Sequence, residues 1–264
     1  MQLSLPEIIV LAVVQGLTEF LPVSSSGHLV IVARFLASDG KPHSLDINDL
    51  NIVLHAGTLV SILIVYFRRI ARLLGEDRRL VGRLVIATIP AVLVGIPIKE
   101  FAEASVLANP LLAGCLLIVT GSMLLATPLI PRGKIEYRDI SYGQAFFIGL
   151  SQAAAILPGL SRSGATISTG LGLGLKPASA ATFSFLMAIP VIGGASFLEL
   201  ISLIRQSELT TPASHLIVGA CVSCCVGLAA LFWLIRWIER GRLQWFAAWC
   251  IPLGIAVVIW QLTS

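Results

Sequence analysis

The sequence predicts an all-α polytopic membrane protein: six transmembrane helices plus two re-entrant helix-loop-helix hairpins, arranged as inverted-topology repeats. Three observations lead there. Hydrophobic residues make up 56% and charged residues 12% of the 264-residue chain, with a mean hydropathy of +0.92, whereas a soluble domain runs near 25% charged. Six apolar stretches, about 51–67, 84–98, 110–130, 182–204, 216–235 and 243–262, approach the ~20 residues that cross a bilayer as a helix. Two further apolar segments are each broken by a polar loop.

The stretches are too long and too uniformly apolar for barrel strands of about 10 alternating residues, so helices are the expected spanning elements. The first broken segment runs 8–21, breaks at Pro22-Val23-Ser24-Ser25-Ser26-Gly27 and resumes over 28–37. The second runs 144–157, breaks at Pro158 to Ser163 and resumes over 164–175. At 1.5 Å rise per residue each arm reaches only part-way through a core ~30 Å thick. Short apolar pairs interrupted by Gly and Pro are the pattern of re-entrant hairpins or broken helices. No cleavable signal peptide is expected, because the first residues lack a basic segment and Glu7 interrupts them.

Loop charges set the orientation. Arg68, Arg69, Arg72, Arg78, Arg79 and Arg83 make one connection basic; Arg132, Lys134 and Arg138 mark a second; Arg236, Arg240 and Arg242 mark a third. By the positive-inside rule these are cytoplasmic. The loops 38–50 (Asp39, Asp46, Asp49) and 99–108 (Glu100, Glu103) then lie outside. Threading the spans through these assignments makes the two broken segments enter from opposite faces, which is the mark of inverted repeats. Sequence echoes agree: Gln15-Gly-Leu-Thr-Glu-Phe-Leu-Pro22 parallels Gln152-Ala-Ala-Ala-Ile-Leu-Pro158, and Ser26-Gly27 parallels Ser163-Gly164. The chain is therefore one domain, 1–264, with a first repeat of about 1–130 and a second of about 131–264.

A net charge of +4 does not point to nucleic acid, because the basic residues sit in short loops where they read as topology signals. Cys115, Cys221, Cys224, Cys225 and Cys250 all fall in apolar helices and read as buried structural thiols. The tryptophans cluster near the ends of the last two spans, as interfacial anchors do.

Chemistry concentrates at the two breaks. Arg162, in Pro158-Gly159-Leu160-Ser161-Arg162-Ser163-Gly164-Ala165-Thr166, is a permanent cation at membrane depth. Such residues cost roughly 2.5–3.5 kcal/mol on insertion scales and usually mark a substrate or ion path. With the hydroxyls of Ser161, Ser163 and Thr166 and the amides near Gly159 and Gly164, it forms a donor-rich loop suited to phosphate. Gln15 and Glu19 share a helix face at i, i+4 and could hold a hard divalent cation such as Mg2+ or Ca2+, with phosphate and water completing its shell. The bland alternative is that Glu19 merely pairs with Arg162. Ser24, Ser25, Ser26 and His28 form the second cluster. Histidine can activate a serine, attack phosphorus itself or act as general acid–base for water; Ser26 is expected to cap the second arm. His55, near the outer end of its span, reads as an ordinary bonded helix histidine.

The two segments Gln15 to His28 and Pro158 to Thr166 together resemble the bacterial undecaprenyl-diphosphate phosphatase family of the bacitracin-resistance type. The likeness extends over nearly the whole chain, including Leu54 to Thr58 and Phe183 to Pro190. That family accepts Glu or Gln at the position of Gln15, so this chain keeps a single carboxylate in the pair. The resemblance implies hydrolysis of the lipid carrier diphosphate to the monophosphate, which recycles the carrier for peptidoglycan synthesis. It also implies divalent-cation dependence, a multi-pass place in the bacterial inner membrane among its lipids, an active site facing the periplasm, and a homodimer. In this reading Arg162, Ser161, Ser163, Thr166, Ser24 and Ser26 bind phosphate, Gln15 and Glu19 position metal, and His28 or Ser25 supplies the nucleophile or base. The rival class is a transporter, since inverted repeats with broken helices could also carry a phosphorylated lipid.

Overall fold

The computed structural model describes residues 4–36, 47–101, 104–205 and 211–263; much of the predicted outer loop 38–50, with His43, lies outside them. The described chain is helical, and its sole extended pairing is an isolated bridge between Ile135 and Leu175. Helix α1 spans Leu5–Phe20, α2 Ser25–Leu36, α3 Ile47–Leu73, α4 Arg78–Phe101, α5 Ala104–Leu107 and α6 Pro110–Ala126. After a linker come α7 (Tyr142–Ala154), α8 (Arg162–Gly172), α9 (Pro177–Arg205), α10 (Ala213–Glu239) and α11 (Ala247–Thr263).

Among the described residues, six helical segments are long and apolar enough to cross a bilayer: Ile52–Leu73, Arg78–Ile98, Pro110–Leu129, Pro177–Leu198, Ala213–Glu239 and Leu243–Thr263. They overlap the six predicted stretches, and the first, second and fifth reach further into basic flanks, because backbone hydrogen bonding continues where apolar character stops. The two broken segments are the pairs α1–α2 and α7–α8. Their starts are written locally: Glu7 accepts from the Ser4 amide and hydroxyl at 2.7 and 2.6 Å, and Ser141 and Gln144 cap α7 reciprocally at 2.8 and 3.1 Å.

One predicted cap is corrected. Ser24, not Ser26, caps α2: its Oγ accepts from the Gly27 amide at 3.3 Å and its carbonyl accepts from the His28 amide at 3.2 Å. Ser24 does this in the left-handed region, at φ 67°, a conformation that for a non-glycine residue persists only when its surroundings impose it. The second loop uses the matching device, Ser161 Oγ accepting from Gly164 at 3.1 Å.

Packing follows the membrane rule that small residues let helix backbones close up. A Cβ on Gly16 of α1 would stand 2.8 Å from the Ser223 carbonyl of α10, and one on Gly149 of α7 2.3 Å from the Ala87 carbonyl of α4. Thus each broken segment docks its first arm on a long helix of the other half. Helices α6 and α11 meet through Gly114, Gly121 and Gly254 in the same way. Phe20, Tyr66 and Phe185 knit α1, α3 and α9 together, with ring centroids 5.8 and 5.9 Å apart.

At one end of the bundle the Ile135–Leu175 bridge ties the α6–α7 linker to the turn after α8, so α7 leaves that end and α8 returns to it. Glu136 accepts from Lys176 at 2.5 Å and from Ser179 at 2.7 Å; these bonds, the lysine's first, hold its carboxyl below the usual carboxylate range. Arg138 pairs with Asp77 at 3.1 Å, bringing the α3–α4 turn to the same end. Tryptophans there do more than anchor: Trp233 and Trp237 pack edge-on to each other and on Phe246.

Gly149→Val should cost about 1–3 kcal/mol by overpacking the α7–α4 contact. The check is the thermal midpoint of the detergent-solubilised protein, and an unchanged midpoint would mean that α7 does not dock there.

Candidate active site

The two loops meet tip to tip. A Cβ on Gly27 would lie 2.9 Å from the Gly159 Cα, so only hydrogen at this position permits the approach. Ser24 Oγ accepts from the Gly159 amide at 3.0 Å, and Ser163 Oγ donates to the Leu21 carbonyl at 3.3 Å. Thr120 of α6 pins the second loop from behind, donating to the Gly159 carbonyl at 2.8 Å and accepting from the Ser161 amide at 3.0 Å. Gly159 itself sits at φ +94° with the Ala113 carbonyl 2.2 Å from where its Cβ would be, so both its conformation and its space demand glycine.

This junction assembles the charged group that neither loop holds alone. Arg162 Nη2 donates to Glu19 Oε1 at 2.5 Å. On the other oxygen, Oε2, Ser25 Oγ donates at 2.7 Å and Gln15 Nε2 at 2.9 Å, and His55 Nε2 stands 3.6 Å away. Glu19 is buried and Arg162 nearly so, with side chains 6% and 15% exposed. Several polar atoms here are buried without a hydrogen-bond partner among the described residues: Arg162 Nη1, Gln15 Oε1 and both amide atoms of Gln152. Native interiors rarely leave such groups unpaired unless a ligand, ion or water completes them.

A cavity of about 420 Å³ opens over this cluster, lined on its polar side by Glu19, Ser24, Ser25, Ser26, His55, Gln152, Ser161 and Arg162. Helices α2 and α8 both begin at its wall, so their N-terminal dipoles favour negative charge there. The predicted residues divide at this point. Ser25 and Ser26 line the cavity, Ser25 Oγ on Glu19 Oε2 and Ser26 Oγ 3.4 Å from Ser24 Oγ. Ser24 and Ser161 line it too, but their Oγ atoms are spent as caps. Ser163 and Thr166 do not line it; Thr166 Oγ1 donates to the Arg162 carbonyl at 2.8 Å and contacts Ser184 Oγ at 2.6 Å. His28 lies off the cavity with both nitrogens engaged: Nδ1 bonds the Ser24 carbonyl at 2.8 Å and Nε2 accepts from Trp249 Nε1 at 2.8 Å.

Two site residues escaped the sequence reading. His55, set aside as an ordinary helix histidine, lies against Glu19. Gln152 had a signal that went unused, its place opposite Gln15 in the echo between the two broken segments. As for a metal, the described residues contain no cluster of three His, Cys, Asp or Glu side chains. The Glu19 carboxylate and Ser25 Oγ are nevertheless oxygen donors on the cavity wall, while Gln15, fully buried and outside the lining, keeps Oε1 without a partner among the described residues. Oxygen donors suit a hard divalent ion that takes most of its shell from phosphate and water.

The family comparison decides the relationship: the model of the family described as bacitracin resistance protein BacA matches residues 8–256. The chain belongs to this family. It is 49% identical to an undecaprenyl-diphosphatase of Rhodopirellula baltica, over 97% of either chain. It is 38% identical to one of Bacteroides thetaiotaomicron, over 97% of this chain and 98% of the relative. A third, of Desulfatibacillum aliphaticivorans, is 37% identical over 96% and 97%.

A double-mutant cycle on Glu19→Gln and Arg162→Met should return a coupling of about 0.5–3 kcal/mol in folding stability, as for contacting residues. Simple additivity would show that the two charges do not support one another.

Proposed function

We propose that the protein is an undecaprenyl-diphosphate phosphatase, releasing inorganic phosphate from the lipid carrier diphosphate in the bacterial inner membrane. Recycling of the carrier then serves peptidoglycan synthesis and confers bacitracin resistance. The observation that carries this reading is the Glu19–Ser25–Arg162 constellation on the wall of one cavity, in a chain of this family.

The geometry favours Ser25 as nucleophile, since its hydroxyl already donates to Glu19 Oε2 while both nitrogens of His28 are occupied. Ser25 Oγ attacks the terminal phosphorus and gives its proton to Glu19. The bond from phosphorus to the bridging oxygen breaks, and the lipid monophosphate departs with the electron pair and takes the proton from Glu19. Water then attacks the phosphoserine, returning Ser25 as hydroxyl and releasing phosphate, with Glu19 again taking and passing the proton. Arg162 neutralises the transferring oxygens through its free Nη1 edge, while Nη2 stays on Glu19. Gln152 and Ser26 complete the phosphate shell, and His28, clamped by Trp249, positions the Ser24 turn. Glu19, Gln15 Oε1 and Ser25 would hold a divalent cation such as Mg2+ or Ca2+. When bound, the ion supplies charge neutralisation for the departing phosphate.

The same reading takes α1–α2 and α7–α8 as re-entrant hairpins of two inverted repeats, with the cavity facing the periplasm. Its supports are the loop charges, the return of α8 to the end that α7 leaves, and the exchange by which α1 docks on α10 and α7 on α4. A homodimer belongs to it as well, supported by the family resemblance alone.

Purified protein in detergent should release phosphate from undecaprenyl diphosphate, a single-compartment assay that flipping alone cannot satisfy. Ser25→Ala and Arg162→Ala should each lower kcat by about 10²-fold or more. Arg162→Lys should not rescue, because a point charge lacks the guanidinium fork. Exhaustive chelation should abolish turnover. A well-folded Ser25→Ala protein at wild-type rate would remove serine as nucleophile, and full activity in chelator would remove the metal.

For topology, Gly75→Cys and Val106→Cys in a cysteine-free background should react with an impermeant maleimide from opposite sides of oriented vesicles. Labelling of both from one side would overturn the inverted arrangement.

A further inference from the structure

A second cavity, of about 540 Å³, lies between α3, α4 and α9. Leu84 and Leu186 form a buried floor, and Val81, Val85, Ile89 and Ile189 are among its walls. Its lining is apolar except for Thr88, whose hydroxyl is already spent on the Leu84 carbonyl at 2.8 Å. An occupant therefore finds no partner for a polar end within the groove and must place that end elsewhere.

The groove and the polar cavity are walled by neighbouring residues of the same two helices. On α4, Val92 lines the groove and Ala91 the polar cavity; on α9, Ile189 and Pro190 line the groove and Val191 and Ile192 the polar cavity. From Ala91 to Val81 is ten residues of helix, or about 15 Å of groove running toward the arginine-rich end. A molecule whose charged end sits between Arg162 and Ser25 thus has this groove beside it as an apolar surface for an attached hydrocarbon chain.

We infer that the α3–α4–α9 groove holds the part of the prenyl chain nearest the head of the substrate whose diphosphate occupies the Glu19–Arg162 cavity, an inference that rests on the phosphatase reading above. The chain leaves one apolar medium, the bilayer, for another, so the groove gains little from hydrophobic transfer. Its contribution is packing and orientation, which fix the terminal phosphorus relative to Ser25. Long-chain substrates then gain in kcat/KM over short ones by an amount that depends on groove shape.

The test is chain-length dependence. Val81→Trp, at the distal end, and Val85→Trp, midway, narrow the groove without touching the polar cavity. With undecaprenyl diphosphate both should lower kcat/KM at least 10-fold; with the short geranyl diphosphate, Val81→Trp should leave it within twofold of wild type. Equal losses on both substrates, or no loss on the long one, would overturn the groove assignment. Wild-type turnover of geranyl diphosphate reads the polar cavity alone, so absence of all hydrolysis counts against the phosphatase reading instead. Should either tryptophan variant misfold, a photo-crosslinking residue at Val85 supplies a separate readout. It should capture radiolabelled undecaprenyl diphosphate, displaced by unlabelled undecaprenyl diphosphate and not by phosphatidylglycerol vesicles. Capture of phospholipid alone would assign the groove to bulk lipid and sink the proposal.

Discussion

The ion pair between Glu19 and Arg162 is the constraint around which the rest is arranged. Two opposite charges buried inside the protein are tolerable only together, and the two residues lie 143 residues apart in the chain. The two loops must therefore touch, and much of the local architecture exists to make them touch. Gly27 and Gly159 remove the side chains that would separate the loops, Ser24 accepts a left-handed turn to reach across, and Thr120 braces the far loop from α6. A buried pair of this kind is weak as a source of stability, because desolvation offsets most of the attraction. Its persistence is better explained by the edge it leaves open: Arg162 keeps Nη1, and Gln15 keeps Oε1, without a partner among the described residues.

The fold was largely readable because hydropathy is a local property. Apolar length located all six spanning helices, and the Pro, Gly and Ser runs located both breaks within a few residues. The assembled cluster was readable for a related reason, since Glu19 and Arg162 are conspicuous wherever apolar sequence surrounds them. What the sequence hid was direction. Which way a hydroxyl points depends on neighbours far along the chain, so nothing local separated Ser25, facing the cavity, from Ser163 and Thr166, turned to Leu21 and Ser184. His28 looked reactive beside three serines, yet Trp249, 221 residues away, occupies its outer nitrogen. His55 looked ordinary until α3 placed it against Glu19.

The hydroxyl-rich motifs thus contain builders and reactants in the same few residues. Ser24, Ser161, Ser163 and Thr166 tie down caps, turns and helix contacts, and the proposed mechanism rests on the side chains left over. This division has a physical cause. In hydrocarbon every exposed backbone N–H and C=O must be satisfied within the protein, and a broken helix exposes several. The serines and threonines repair those breaks, and only a repaired loop is rigid enough to hold Ser25 and Arg162 in register.

The distance between Glu19 and Arg162 along the chain also sets an order of events during synthesis. At roughly 5–20 residues per second, the 143 residues separating them take about 10–30 s to emerge. During that interval α1 has neither its counter-ion nor its docking surface, since α10 is made later still. Gln15, Ser25 and His55 can cover one oxygen of Glu19, but nothing yet neutralises its charge. The contacts of the first loop are therefore completed only after the second broken segment has been made. The first elements translated are thus among the last to have their contacts completed, and a chain arrested before Arg162 would leave Glu19 without its counter-ion.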